Sequence, residues 1–139
     1  MDNFFIVQNG LVVNASPFAT GSASGSYQLL LTNNTMAYMN CSVATAAENQ
    51  STVIDSFSKS WGNTAKWLLS IGSGSNFKTS ELLAVWDPAT NNANHAEYTT
   101  NALGTVPSFM SVNISGGNVR LVAYPTTGSW TVKMLRFVI

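Results

Sequence analysis

Asp87, His95 and Glu97 flank the loop from Pro88 to Asn94, near enough in sequence to be brought together as ligands. A metal centre takes three or four such donors in fixed geometry, whereas a polar trio around an Asn-rich stretch more often lines its loop. The expectation is no metal and no cofactor. His95 is the only histidine, and no serine stands in a GxSxG elbow, so Ser-His-acid catalysis has no support. Cys41, in Met39-Asn40-Cys41-Ser42, has no cation beside it in sequence to activate it, and reads as a small hydrophobe at a strand end. As the single cysteine it can form no intrachain disulfide. Gly72-Ser73-Gly74-Ser75 lies in a hairpin and opens no helix, so it cradles no phosphate.

Two carboxylates, Glu81 and Glu97, could pose as the acid and base of a glycosidase. Each sits in a strand that is otherwise packing material. If Gly72 to Ser75 form a four-residue loop with Ile71 opposite Asn76, Lys66 falls directly opposite Glu81. The structural reading is then a cross-strand ion pair that fixes the hairpin register. Should that pair be partly buried, losing one partner is expected to cost on the order of 3 kcal/mol. The aromatics offer another chemistry, a glycan-stacking platform. Trp67 and Trp130 fall on alternating apolar faces, as core rings do. Trp61 and Trp86 fall at strand ends and are read as possible exposed contact aromatics.

The elements that must position these residues are strands. Thr64 to Tyr98 reads as strand, tight turn, long strand, loop, strand, with Ala65, Trp67, Leu69 and Ile71 on one face. The strand from Glu81 to Asp87 is apolar on both faces and stops at Pro88, so it should be covered on both sides or lie centrally. Before it, Phe4 to Val13 surrounds an Asn9-Gly10 pair, a hairpin or kink signal. Tyr27 to Thr32 and Thr35 to Asn40 flank Asn33-Asn34, a second hairpin candidate. Ser42 to Gln50 alone has helical propensity, and is too short and polar to hold a helix by itself. Thr52 to Phe57, Ser108 to Ile114, Val119 to Tyr124 and Trp130 to Ile139 complete the set. About nine or ten short strands at this spacing predict an all-β fold, a single antiparallel β-sandwich or jelly-roll-like domain. Residues 1–26 form its N-terminal strand and a Gly/Ser-rich arm, and residues 27–139 the sandwich.

Composition narrows the function classes. The 139 residues are 45% hydrophobic and 9% charged, with six basic and six acidic residues and zero net charge. Hydroxyls and amides carry solubility, which suits sheets and tight turns. No basic stripe is present, which argues against nucleic acid. No apolar run approaches a membrane span, and the N-terminus lacks the basic region of a signal peptide, so membrane and secretion are not expected. Phe4, Phe5, Ile6 and Val7 are too apolar to leave in water, and are read as assembly contacts.

From Val53 onward the chain resembles a β-domain found in virion structural proteins of tailed marine phages, the cyanophage type in particular. The resemblance is carried by Val53-Ile54-Asp55-Ser56-Phe57, Thr64-Ala65-Lys66-Trp67, Ser80-Glu81-Leu82-Leu83, Ala96-Glu97-Tyr98, Leu103-Gly104, Ser115 to Leu121 and Thr131-Val132-Lys133. Where that family usually has a His-Asp-Gly-like turn, this chain has Trp86-Asp87-Pro88. The resemblance implies a non-enzymatic part of the particle exterior. With no coiled-coil or β-helical stem in these residues, decoration of the capsid is the first expectation, with copies of itself and the major capsid protein as partners. Phe4, Phe5, Ile6 and Val7 would then contact a neighbouring copy or the capsid protein. The alternative is a tail or tail-fibre component that binds a host surface glycan. A hydrolase acting on surface glycans stands third.

Overall fold

A computed structural model describes the backbone of residues 4–7, 11–14, 27–32 and 36–139, and the side chains of residues 39–139 except 99 and 100. The strands are β1 (Phe4–Val7), β2 (Leu11–Asn14), β3 (Tyr27–Thr32), β4 (Met36–Ala46), β5 (Thr52–Ser58), β6 (Thr64–Ser73), β7 (Asn76–Trp86), β8 (Ala93–Leu103), β9 (Met110–Ser115), β10 (Asn118–Ala123) and β11 (Trp130–Val138). They make two antiparallel sheets, one of eight strands in the order β1-β2-β3-β4-β11-β6-β7-β8 and one of three in the order β5-β10-β9. The fold is an all-β sandwich with unequal layers. β1 and β2 belong to the larger sheet, reaching it through Leu11↔Leu31 and Val12↔Leu30. The expected Gly/Ser-rich arm lies outside the described residues.

β11 joins the halves of the large sheet. It lies between β4 and β6 and pairs along almost its whole length with both. This pairing also decides the stretch with helical propensity: Tyr38 to Ala46 match β11 residue by residue, and strand pairing overrides a weak local preference. One face of the large sheet meets the small sheet. Ala65, Trp67, Leu69 and Ile71 of β6, Leu82, Ala84 and Trp86 of β7, and Val132, Met134 and Val138 of β11 are buried there. Phe57, Val119, Leu121, Met110 and Val112 of the small sheet are buried with them. The period of two read in β6 is the core pattern.

β7 is an interior strand, but only one of its two apolar faces is covered by described residues. Leu83 and Val85 point away from the small sheet and are exposed. The small sheet packs on the inner face alone, so apolar positions on the outer face of β6, β7 and β11 stay open.

The β6–β7 register corrects the sequence expectation. The turn is two residues long, Gly74-Ser75, with Ser73 opposite Asn76 and Gly72 opposite Phe77. Gly74 has φ +57, the positive value required at the first central position of a II′ hairpin turn. Lys66 therefore lies opposite Leu83 and Glu81 opposite Leu68, two residues away from direct opposition. An even shift keeps both side chains on the same face, and they still meet diagonally at 2.9 Å. Their side chains are 43% and 36% exposed, on the outer face. An ion pair so open to water is worth at most about 1 kcal/mol. Glu81→Gln is therefore expected to lower unfolding free energy by less than about 1 kcal/mol in urea titration, with the β6–β7 amide contacts in NMR unchanged.

Candidate functional site

The sheets are held together by a polar cluster inside the core. Asp55 shares the inward face of β5 with Phe57, two residues on, and a β-bulge stands just before it: Leu121 pairs with Asp55 and Val122 with Val53, so Ile54 is an extra residue, buried as well, while Val53 is exposed. Arg136 of β11, 1% exposed, donates from Nη1 to both Asp55 oxygens, at 2.7 and 2.9 Å. The Trp67 indole donates to Asp55 Oδ2 at 2.8 Å. Arg136 Nε and Nη2 have no hydrogen-bond partner among the described residues. The guanidinium carbon instead lies 4.3 Å from the Phe57 ring centre and 6.0 Å from that of Trp61, so aromatic faces take the place of acceptors.

This cluster corrects the reading of Trp61 and Trp86 as exposed contact aromatics. Trp86 is 3% exposed, packs edge-on against Phe57 at 5.6 Å and donates its indole N–H to the Lys59 carbonyl. Trp61, in a 3₁₀ turn over Lys59–Trp61, is half-buried and stacks on Phe57 at 6.1 Å. The strand-end positions misled because the turn after β5 folds back over the core and makes a lid of them. Trp130 donates to the Thr127 carbonyl and packs on Phe109.

The residues with catalytic potential are dispersed or committed. Leu82, which faces the core, is opposite Glu97, while Glu81 is opposite Tyr98. The two glutamates thus project from opposite faces of the sheet and cannot flank one glycosidic bond. Glu97 Oε1 accepts from Lys78 Nζ at 2.7 Å and Ser80 Oγ at 2.9 Å, and Oε2 from Ser108 Oγ at 3.0 Å. Burial pushes its carboxyl up, but the Lys78 and Ser80 hydrogen bonds, the Lys78 charge and the Ser108 bond outweigh it and hold it below the ordinary 4.5. Asp87 Oδ1 accepts from the Ala89 amide and so closes its own turn. Among the described residues no three His, Cys, Asp or Glu side chains are placed to hold a metal ion. Cys41 lies within β4 rather than at a strand end, and its side chain is exposed.

What remains is the outer face of the large sheet, which the register divides into two halves. Toward the end where β7 passes into β8, two cross-strand rows run Met39, Phe137, Lys66, Leu83, Ala96 and Cys41, Leu135, Leu68, Glu81, Tyr98. Val85 stands beside them. Leu68, Leu83, Val85, Tyr98 and Phe137 are all exposed. Toward the Gly74 turn the rows become Val43, Lys133, Ser70, Thr79, Asn101 and Thr45, Thr131, Gly72, Phe77, Leu103. One half is thus mainly apolar around a single ion pair, and the other mainly hydroxyl and amide. The side chains of Phe4, Phe5, Ile6 and Val7 lie outside the described residues; the backbone of β1 is a sheet edge paired with β2.

No protein family, curated protein or solved structure matches the chain. The likeness to phage β-domains therefore rests on its own residues alone. No helix among the described residues is long and apolar enough to cross a membrane.

Two outcomes follow from the buried charges. Arg136→Leu leaves Asp55 charged and without its counter-ion in the core, and should cost about 3–5 kcal/mol of unfolding free energy. Asp55→Asn in the same chain removes that charge yet keeps an oxygen for Trp67, and should restore most of the loss in a double-mutant cycle. Glu97, with its carboxyl depressed in the folded state, adds stability that is full above 4.5 and is lost as pH falls through its folded value. The destabilisation caused by Glu97→Gln should be largest near neutral pH and shrink on acidification below 4.5, as read by urea unfolding across pH.

Proposed function

We propose that this chain is a non-enzymatic structural protein of a tailed-phage virion, decorating the capsid exterior in many copies. The observation that carries the assembly role is the apolar half of the outer sheet face, where Leu68, Leu83, Val85, Tyr98 and Phe137 stand in adjoining rows and are exposed. A contiguous apolar surface of this kind marks a protein contact, and each Leu or Phe there, already more than half covered, contributes roughly 1 kcal/mol when the rest is taken out of water. Zero net charge leaves no long-range repulsion between copies. The phage setting rests on the resemblance from Val53 onward.

In this reading the apolar half packs on the major capsid protein. The β1 edge, with Phe4 to Val7, adds to a strand of a neighbouring copy, main-chain hydrogen bonds giving the affinity. Leu68→Ser with Leu83→Ser leaves the core untouched, because both residues point outward. The pair should leave the melting temperature nearly unchanged and weaken binding to purified capsid shells by at least about tenfold, equivalent to about 1.4 kcal/mol. Quantitative mass spectrometry of virions should find hundreds of copies per particle. A few to a few dozen would move the protein to the tail, and absence from virions would refute the reading.

A further inference from the structure

The hydroxyl-rich half of the outer face holds a second site, independent of what covers the apolar half. Its centre is Phe77, which is 50% exposed. Phe77 lies opposite Gly72 on β6, and a Cβ at Gly72 would stand 2.8 Å from its Cδ1 and 3.0 Å from its Cε1. The ring therefore rests on bare backbone that only glycine leaves open, a fixed aromatic platform on the sheet surface. A groove of ≈390 Å³ runs along one side, lined by Ser70, Ser73, Ser129, Thr131 and Lys133. A second, of ≈210 Å³, shares Ser70 and Phe77 and continues past Thr79 and Asn101 to Ala102 and Leu103. Ser70, Ser73, Ser129, Thr131 and Lys133 make no side-chain hydrogen bond or ion pair with another described residue.

These features select a ligand class. A ring fixed between two shallow grooves suits a flat apolar face, and the unpaired hydroxyls of Ser70, Ser73, Ser129 and Thr131 along the larger groove suit a ligand dense in donors and acceptors. A nucleotide would ask for several cations around its phosphates, and this groove offers Lys133 alone. A lipid would ask for apolar walls along its whole length, and the larger groove has no apolar side chain besides Phe77. A pyranose ring has both required surfaces, C–H bonds on one face and hydroxyls at its rim. The larger groove falls in the size range of small-ligand sites, about 300–1,000 Å³. We propose that the Phe77 platform binds a saccharide, its C–H face on the ring, its hydroxyls met by Ser70, Ser129 and Thr131, and an acidic substituent, where present, placed at Lys133.

Saturation-transfer difference NMR with the methyl glycosides of glucose, galactose, N-acetylglucosamine and glucuronic acid tests this. At least one should receive saturation at its ring C–H protons. Phe77→Ala should weaken that glycoside at least tenfold, and Phe77→Tyr should restore it. Lys133→Gln should weaken the glucuronide selectively. Amide shifts in the wild-type protein provide a readout that needs no variant, and should move at Ser70, Phe77, Ser129 and Thr131. No transfer to any of the four, transfer that Phe77→Ala leaves unchanged, or shifts confined to other residues would overturn the proposal.

Discussion

One guanidinium decides how the two layers of this protein face each other. Arg136 belongs to the strand that unites the large sheet, and the only hydrogen-bonded partner of its guanidinium among the described residues is Asp55, on the edge strand of the small one. An apolar interface could slide by a fraction of a residue at little cost. A buried arginine cannot, because displacement removes its counter-charge while water is still excluded. Trp67 donates to the same carboxylate, and Phe57 covers the guanidinium, so three core side chains are tied to one geometry. Trp61 and Trp86 then pack on Phe57 and shut the end of the core.

The unequal layers follow from that docking and give the molecule its functional asymmetry. Once β5, β10 and β9 seat on the face bearing Trp67 and Leu82, no described residue covers the other face. Because side chains alternate strictly, every apolar residue at an outward position of β6, β7 or β11 is committed to that open surface. The division into an apolar half and a hydroxyl half follows from cross-strand register. Changing the β6–β7 pairing by two residues would mix Phe77 and Leu83 into different rows. The turn at Gly74-Ser75 thus fixes the pattern of the outer face as well as the hairpin.

Much of the fold is legible in the chain, and the losses have physical causes. The burial of Ala65, Trp67, Leu69 and Ile71 follows from a period of two, and so does the inward series of β11. The register did not follow, because Gly72 to Ser75 offers both a two-residue and a four-residue turn, and both leave the same faces inward. Trp86 was misplaced because nearness to Pro88 says where a strand stops, not what folds over its end. The central ion pair had a visible signal: Arg136 occupies a core position in the series Val132, Met134, Arg136, Val138. A charge at such a position demands a partner, and Asp55 stands among apolar residues in β5. What hid the match was the bulge at Ile54, which buries Ile54 beside Asp55 and breaks the period of two that would otherwise show which face of β5 is inward. The Phe77 site was hidden for a related reason, since its grooves exist only once three strands are in register.

In the proposed reading the apolar half of the outer face of the large sheet, and not the roof formed by β5, β10 and β9, is the surface turned to the particle. A reconstruction of the virion at side-chain resolution tests it most directly. Leu68, Leu83 and Phe137 should lie against the capsid shell, with the three-stranded sheet toward solvent. Density that places the small sheet on the shell and leaves those three residues in water would contradict it.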